Sequence, residues 1–176
     1  MAYALMFALG GFAPDAQADT LTINATGTIL GSCQISVGSN FPTNADLSVS
    51  GSSSASAVVN CSTPFKINAT SSNGALTTSA AAVSGFTNSL VYTLAMSVPL
   101  NTGGPVTASC TSAQLVSGQS SCALSPGNST GLYSGATGTA TNKTASLTAS
   151  WTTPTTPRLV AGAYADTLTV SIAAVP

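Results

Sequence analysis

From Leu21 to Ile29 every second position is apolar or bare: Leu21, Ile23, Ala25, Gly27 and Ile29 alternate with Thr22, Asn24, Thr26 and Thr28. A period of two is the mark of a β-strand with one buried face, and it is incompatible with an amphipathic helix. The same period returns along the chain at Phe65, Ile67 and Ala69, then at Leu90, Tyr92, Leu94, Met96 and Val98. It appears again at Ala145, Leu147, Ala149 and Trp151, and last at Leu168, Val170 and Ile172. Further strands are expected at Cys33–Val37, after the Gly31-Ser32 break, and at Ala55–Cys61 around Val58-Val59. Residues 38–54 read as a polar loop around Phe41-Pro42 and Leu47-Ser48-Val49, and residues 99–143 give no clear strand pattern. Pro154 and Pro157 lie in a connection to the final strand, expected over Ala165–Ile172. Gly, Pro, Asn and Ser interrupt the chain every 8 to 15 residues, which predicts a sandwich or barrel of short strands. With no repeat and no linker, the chain reads as one domain.

Composition separates folding from disorder. The 27 Ser and 26 Thr would suit a disordered tract, but 44% of residues are hydrophobic and the net charge is −1. Disorder needs the reverse, low hydrophobicity with high net charge. The same numbers remove most chemistry. There is no His and no Glu, and Asp15, Asp19, Asp46 and Asp166 are scattered. No imidazole base, no G-x-S-x-G and no Ser-x-x-Lys is present, so the chain is expected not to be an enzyme and to carry no cofactor. Zinc binding is disfavoured because no C-x-x-C pair exists. Lys66, Lys143 and Arg158 form no basic run, which argues against nucleic-acid binding.

Ala2–Phe12 is an apolar run too short for a membrane-spanning helix. Ala16-Gln17-Ala18 follows it as a signal-peptidase pattern, so residues 1–18 read as a signal peptide whose basic start lies upstream of Met1. Cys33, Cys61, Cys110 and Cys122 fit an oxidising destination. Four cysteines admit three pairings. Cys33 with Cys61 and Cys110 with Cys122 is favoured because both close short loops.

Three stretches give the chain a family likeness. The alternating segment Asp19–Ala25 leads to Gly31-Ser32-Cys33; Val58-Val59-Asn60-Cys61 ends a strand; and the chain closes with Ala161-Gly162-Ala163-Tyr164-Ala165-Asp166-Thr167-Leu168-Thr169-Val170-Ser171-Ile172. In these it resembles the spore coat U domain proteins, the subunits of archaic (Csu-type) chaperone–usher pili. The closing Ala-Gly-x-Tyr-x-Asp-Thr motif is the most specific of the three. Cys110 and Cys122 lie outside the basic family pattern.

The resemblance implies an all-β fold, an incomplete immunoglobulin-like β-sandwich lacking its last strand, with an N-terminal donor-strand extension. Residues 19–31 would be that extension and 32–176 the sandwich domain. Leu21, Ile23, Ala25, Gly27 and Ile29 would enter a neighbour's groove, whose edge strand would carry Leu168, Val170 and Ile172. Implied partners are a periplasmic pilus chaperone, an outer-membrane usher and neighbouring copies or homologous subunits, with secretion through the periplasm to a cell-surface fimbria active in adhesion and biofilm formation. The alternatives are a carbohydrate- or surface-binding minor tip subunit, with Trp151 and Tyr133 as a sugar platform, and a spore-coat-like surface protein. Trp151 is weighed chiefly as core, and Tyr164 and Asp166 as structural features at a strand entrance.

Overall fold

The computed structural model describes residues 31–42, 45–81 and 83–175. Residues 1–18, expected as a signal peptide, and the donor-strand positions Leu21, Ile23, Ala25, Gly27 and Ile29 lie outside the described residues.

The strands are β1 (Cys33–Ser39), β2 (Gly51–Cys61), β3 (Phe65–Ser71), β4 (Leu76–Thr77), β5 (Phe86–Thr87), β6 (Ser89–Leu90) and β7 (Thr93–Val98). There follow β8 (Val106–Thr111), a 3-10 turn over Ser112–Leu115, β9 (Leu132–Tyr133), β10 (Ala140–Trp151), β11 (Arg158–Leu159) and β12 (Leu168–Ala174). A five-stranded antiparallel sheet runs β1-β2-β10-β7-β8, and a three-stranded antiparallel sheet runs β12-β3-β9. Two small pairs, β4-β6 and the parallel β11-β5, complete an all-β architecture consistent with a sandwich.

The alternation dictates this layering. β3 buries Phe65, Ile67 and Ala69 completely on one face, and its Lys66, Asn68 and Thr70 are half-buried on the other. The five-stranded sheet answers with Val59 and Cys61 from β2, Leu94, Met96 and Val98 from β7, and Ala145 and Leu147 from β10. Each Leu- or Ile-sized side chain buried in this way contributes about 1.5–3 kcal/mol.

Several boundaries differ from expectation. β2 begins at Gly51 rather than Ala55, because Gly51–Ser54 pair with Ser150–Trp151 and Thr148–Ala149 of β10. The expected Leu90–Val98 strand is divided between β6 and β7, although Leu90, Tyr92, Leu94, Met96 and Val98 all remain buried. β12 starts at Leu168, and Ala165 instead forms a bridge with Thr77. The register of β10 on β2 shifts between Ala140 and Lys143, where Asn142 takes a left-handed φ of 51°.

Within residues 99–143, β8 pairs with β7, and the 3-10 turn is held by polar bonds that no hydrophobic period announces. Ser112 Oγ donates to Gly74 O at 2.7 Å and Ser125 Oγ to Gln114 O at 2.7 Å, while Leu115 and Leu124 fill the core beneath.

Candidate functional site

Each of the two larger sheets ends in a strand with an open edge, and the two open strands, β1 and β12, are neighbours. Backbone parity shows which groups are left over. Thr167 O accepts from Ser72 N at 3.0 Å and Val175 N donates to Pro64 O at 2.7 Å. The odd-numbered residues of this stretch therefore bond to β3, and Leu168, Val170, Ile172 and Ala174 direct their N–H and C=O away from it. On β1, Ser62 N donates to Ser32 O at 3.0 Å, which leaves the backbone of Cys33, Ile35 and Val37 facing away from β2. Among the described residues no strand pairs with either edge.

The same residues point their side chains inward. Leu168, Val170 and Ile172 pack against the core yet stay half-buried. Val37 sits opposite the buried Ala57, on the face shared by Cys33 and Ile35, but is 73% exposed. An apolar side chain on an inner face with that exposure lacks a covering layer. At one end of the gap, Cys33, Gln34, Ile35 and Ser36 line a cleft of about 580 Å3 with Ser171 and Ile172.

At the other end, beside Leu168, a cavity of about 1120 Å3 opens between the layers. Its floor is hollowed because the paired Ser53 and Ala149 are small. Phe41, Leu47, Leu76, Tyr92 and Trp151 stand around it. Ser53 Oγ is the one buried side-chain polar atom without a hydrogen-bond partner among the described residues.

Asp166 anchors the start of β12 to the end of β3. Its carboxylate accepts from Ser71 Oγ at 2.6 Å, Tyr92 OH at 2.8 Å, Ser72 Oγ at 3.0 Å, Asn73 N at 3.1 Å and Thr167 N at 2.8 Å. Burial, and then the hydrogen bond to Asp166, raise the Tyr92 phenol above its ordinary range. The Tyr164 hydroxyl lies 2.9 Å from Val160 O and 3.2 Å from Thr87 O, so it finds backbone partners at the strand entrance.

Two disulfides are present, Cys33–Cys61 and Cys110–Cys122. Cys33 and Cys61 face each other directly across β1 and β2. Trp151 is 8% exposed, and its indole N–H donates to Val49 O at 2.9 Å. Tyr133 lies on β9 of the other sheet and does not line the cavity that Trp151 lines, so the two aromatics form no shared platform. Lys66 Nζ donates to Ser129 O at 2.8 Å.

Sequence reasoning missed Ile35 and Val37 as the second wall of the gap, and the hollow over Ser53 and Ala149. Their alternation was visible, but which edge lacks a neighbour depends on the sheet order.

The arrangement can accept an extended strand. Two unpaired backbone edges offer donors and acceptors on either side, and a row of apolar side chains offers burial to every second residue. No family model, curated protein or solved structure matches the chain.

Proposed function

We propose that the chain is a structural subunit of a cell-surface fimbria, polymerised by donor-strand exchange and serving adhesion and biofilm formation. The observation that carries this reading is the inner-face row of an exposed Val37 and half-buried Leu168, Val170 and Ile172 between two strand edges that no strand among the described residues pairs. An edge of that kind is an aggregation hazard when free, so a natural chain keeping one needs a partner to cover it. The likeness to spore coat U domain subunits supplies the partners: a periplasmic chaperone that lends a strand, an outer-membrane usher, and the amino-terminal extension of a neighbouring copy. Leu21, Ile23, Ala25, Gly27 and Ile29 have the alternation such an insertion requires. The two disulfides fit an oxidising route through the periplasm. The chemistry is binding alone, with no catalytic step and no cofactor.

A carbohydrate-binding tip subunit has the Trp151-lined cavity in its favour. The indole is nevertheless 8% exposed and its N–H already bound, which leaves little aromatic face for a sugar.

Deleting residues 19–30 tests the reading. The shortened chain is expected to capture a peptide of that sequence and to extend no fibre in electron micrographs. Undiminished fibres would overturn the donor-strand assignment.

A further inference from the structure

Between β10 and β11 the chain runs Thr152-Thr153-Pro154-Thr155-Thr156-Pro157, placing four of its 26 Thr and two of its 9 Pro within six residues. A proline has no N–H to give a ladder and holds the residue before it extended, which keeps such a stretch out of helices and central strands. The segment accordingly lies outside every strand described above. Both of its ends are fixed. Thr153 N–H donates to Ser50 Oγ at 3.0 Å, and Thr153 Oγ1 donates to Leu47 O at 2.8 Å. At the far end Arg158 and Leu159 pair with Phe86 and Thr87. Between these anchors Thr155, Thr156 and Pro157 are exposed, and the hydroxyls of Thr155 and Thr156 have no hydrogen-bond partner among the described residues.

Two further observations set this pair apart. Thr102 and Thr137 are exposed as well, but each stands singly beside a glycine, with no proline next to it. The strand threonines have their backbone committed to the sheets. The second observation is one of composition. Charged residues make up 4% of the chain and its net charge is −1, so the folded surface has little electrostatic repulsion to keep copies apart. A neutral sugar supplies hydration and bulk that such a surface lacks.

We propose that the Thr155-Thr156 pair is an O-glycosylation site, to which a transferase adds sugar from a glycosyl diphosphate donor. Exposed threonine runs with proline are the composition that carries such sugars. An extended backbone outside any ladder also lets an enzyme cleft close on the acceptor. In the transfer, threonine Oγ1 bonds to the anomeric carbon of the sugar and the bond from that carbon to the diphosphate oxygen breaks. The diphosphate leaves with the electron pair, and the hydroxyl proton passes to a base of the transferase. The proposal does not rest on the strand-acceptor reading, because the walls of that groove and segment 152–157 share no residue.

The test weighs one fragment. Protein secreted by the native cell is denatured and cut with trypsin after Lys66, Lys143 and Arg158, and fragment 144–158 is analysed by mass spectrometry with electron-transfer fragmentation. A bare synthetic peptide of the same sequence is the reference. The secreted fragment is expected to be heavier by one or more whole sugar residues, fixed on one or both of Thr155 and Thr156. In the same cell, the double variant Thr155→Val, Thr156→Val is expected to carry at least tenfold less of the added mass, and Thr152→Val to keep it. A secreted fragment of bare mass overturns the proposal. So does a sugar fixed on any other residue of the fragment, or an added phosphate in place of sugar. Retention of the sugar by the double variant, or its loss from Thr152→Val, overturns it equally. Where a variant is not secreted, the position of the sugar on the unaltered chain decides alone. Failure of the chain to form fibres would count against the strand-acceptor reading and leave this mass unchanged.

Discussion

A chain with 27 serines keeps a dry core by bonding nearly all of its buried hydroxyls, with Ser53 Oγ the exception among the described residues. Ser71, Ser112, Ser125 and Ser134 are all buried, and each spends its hydroxyl on the backbone or on Asp166. Asp166 does the most of any single residue, since five donors converge on it from β3, β12 and the approach to β7. Tyr92→Phe removes one of these and is expected to cost about 2 kcal/mol at pH 7, the usual worth of a hydrogen bond to a charged group. The phenol is raised in the folded state, so its stabilisation is complete below its ordinary value of 10.0 and is lost as pH climbs above that. Urea midpoints of the two proteins should therefore stay apart up to about pH 10 and draw together progressively as pH climbs beyond it. A gap that widened in alkali would contradict the assignment of Tyr92 as the raised group.

Strand existence was legible wherever an apolar period was long. β3, β7 and β10 follow directly from Phe65-Ile67-Ala69, Leu94-Met96-Val98 and Ala145-Leu147. Strand ends were not, because Gly51-Ser52-Ser53-Ser54 has no apolar residue and becomes β2 only through its partner β10. The 3-10 turn and β9 were hidden for a related reason: capping and serine bonds between distant residues carry no period. The element most telling for function is β1, whose inner-face Val37 is left exposed among the described residues. Val37→Asp separates stability from binding. A residue 73% exposed should change stability by less than about 0.5 kcal/mol. Capture of the 19–30 peptide should nevertheless fall at least tenfold, because a carboxylate would be buried unpaired beneath the inserted strand. Fluorescence titration of the folded variant reads both. Unchanged capture would remove β1 as a wall of the groove.

At the scale of the whole molecule, the two disulfides divide the work. Each closes a short loop, of 28 and 12 residues, and each is expected to contribute about 3 kcal/mol by restricting the unfolded chain. Replacing Cys110 and Cys122 with Ser should lower the urea midpoint and spare peptide capture. Replacing Cys33 and Cys61 should lower both, since that bridge ties β1, one wall of the groove, to β2. Equal effects of the two replacements on capture would argue against a groove along β1. The sequence by itself determined the class of fold, since period-two alternation broken by Gly and Pro is a local property that admits only strands. It also favoured, without fixing it among three possibilities, the cysteine pairing that the structure holds, because short loops close at least entropic cost. Which edges stay unpaired among the described residues and where small residues hollow the core were decided by tertiary structure alone. Each depends on which strands become neighbours, and that choice is made between residues far apart in the chain.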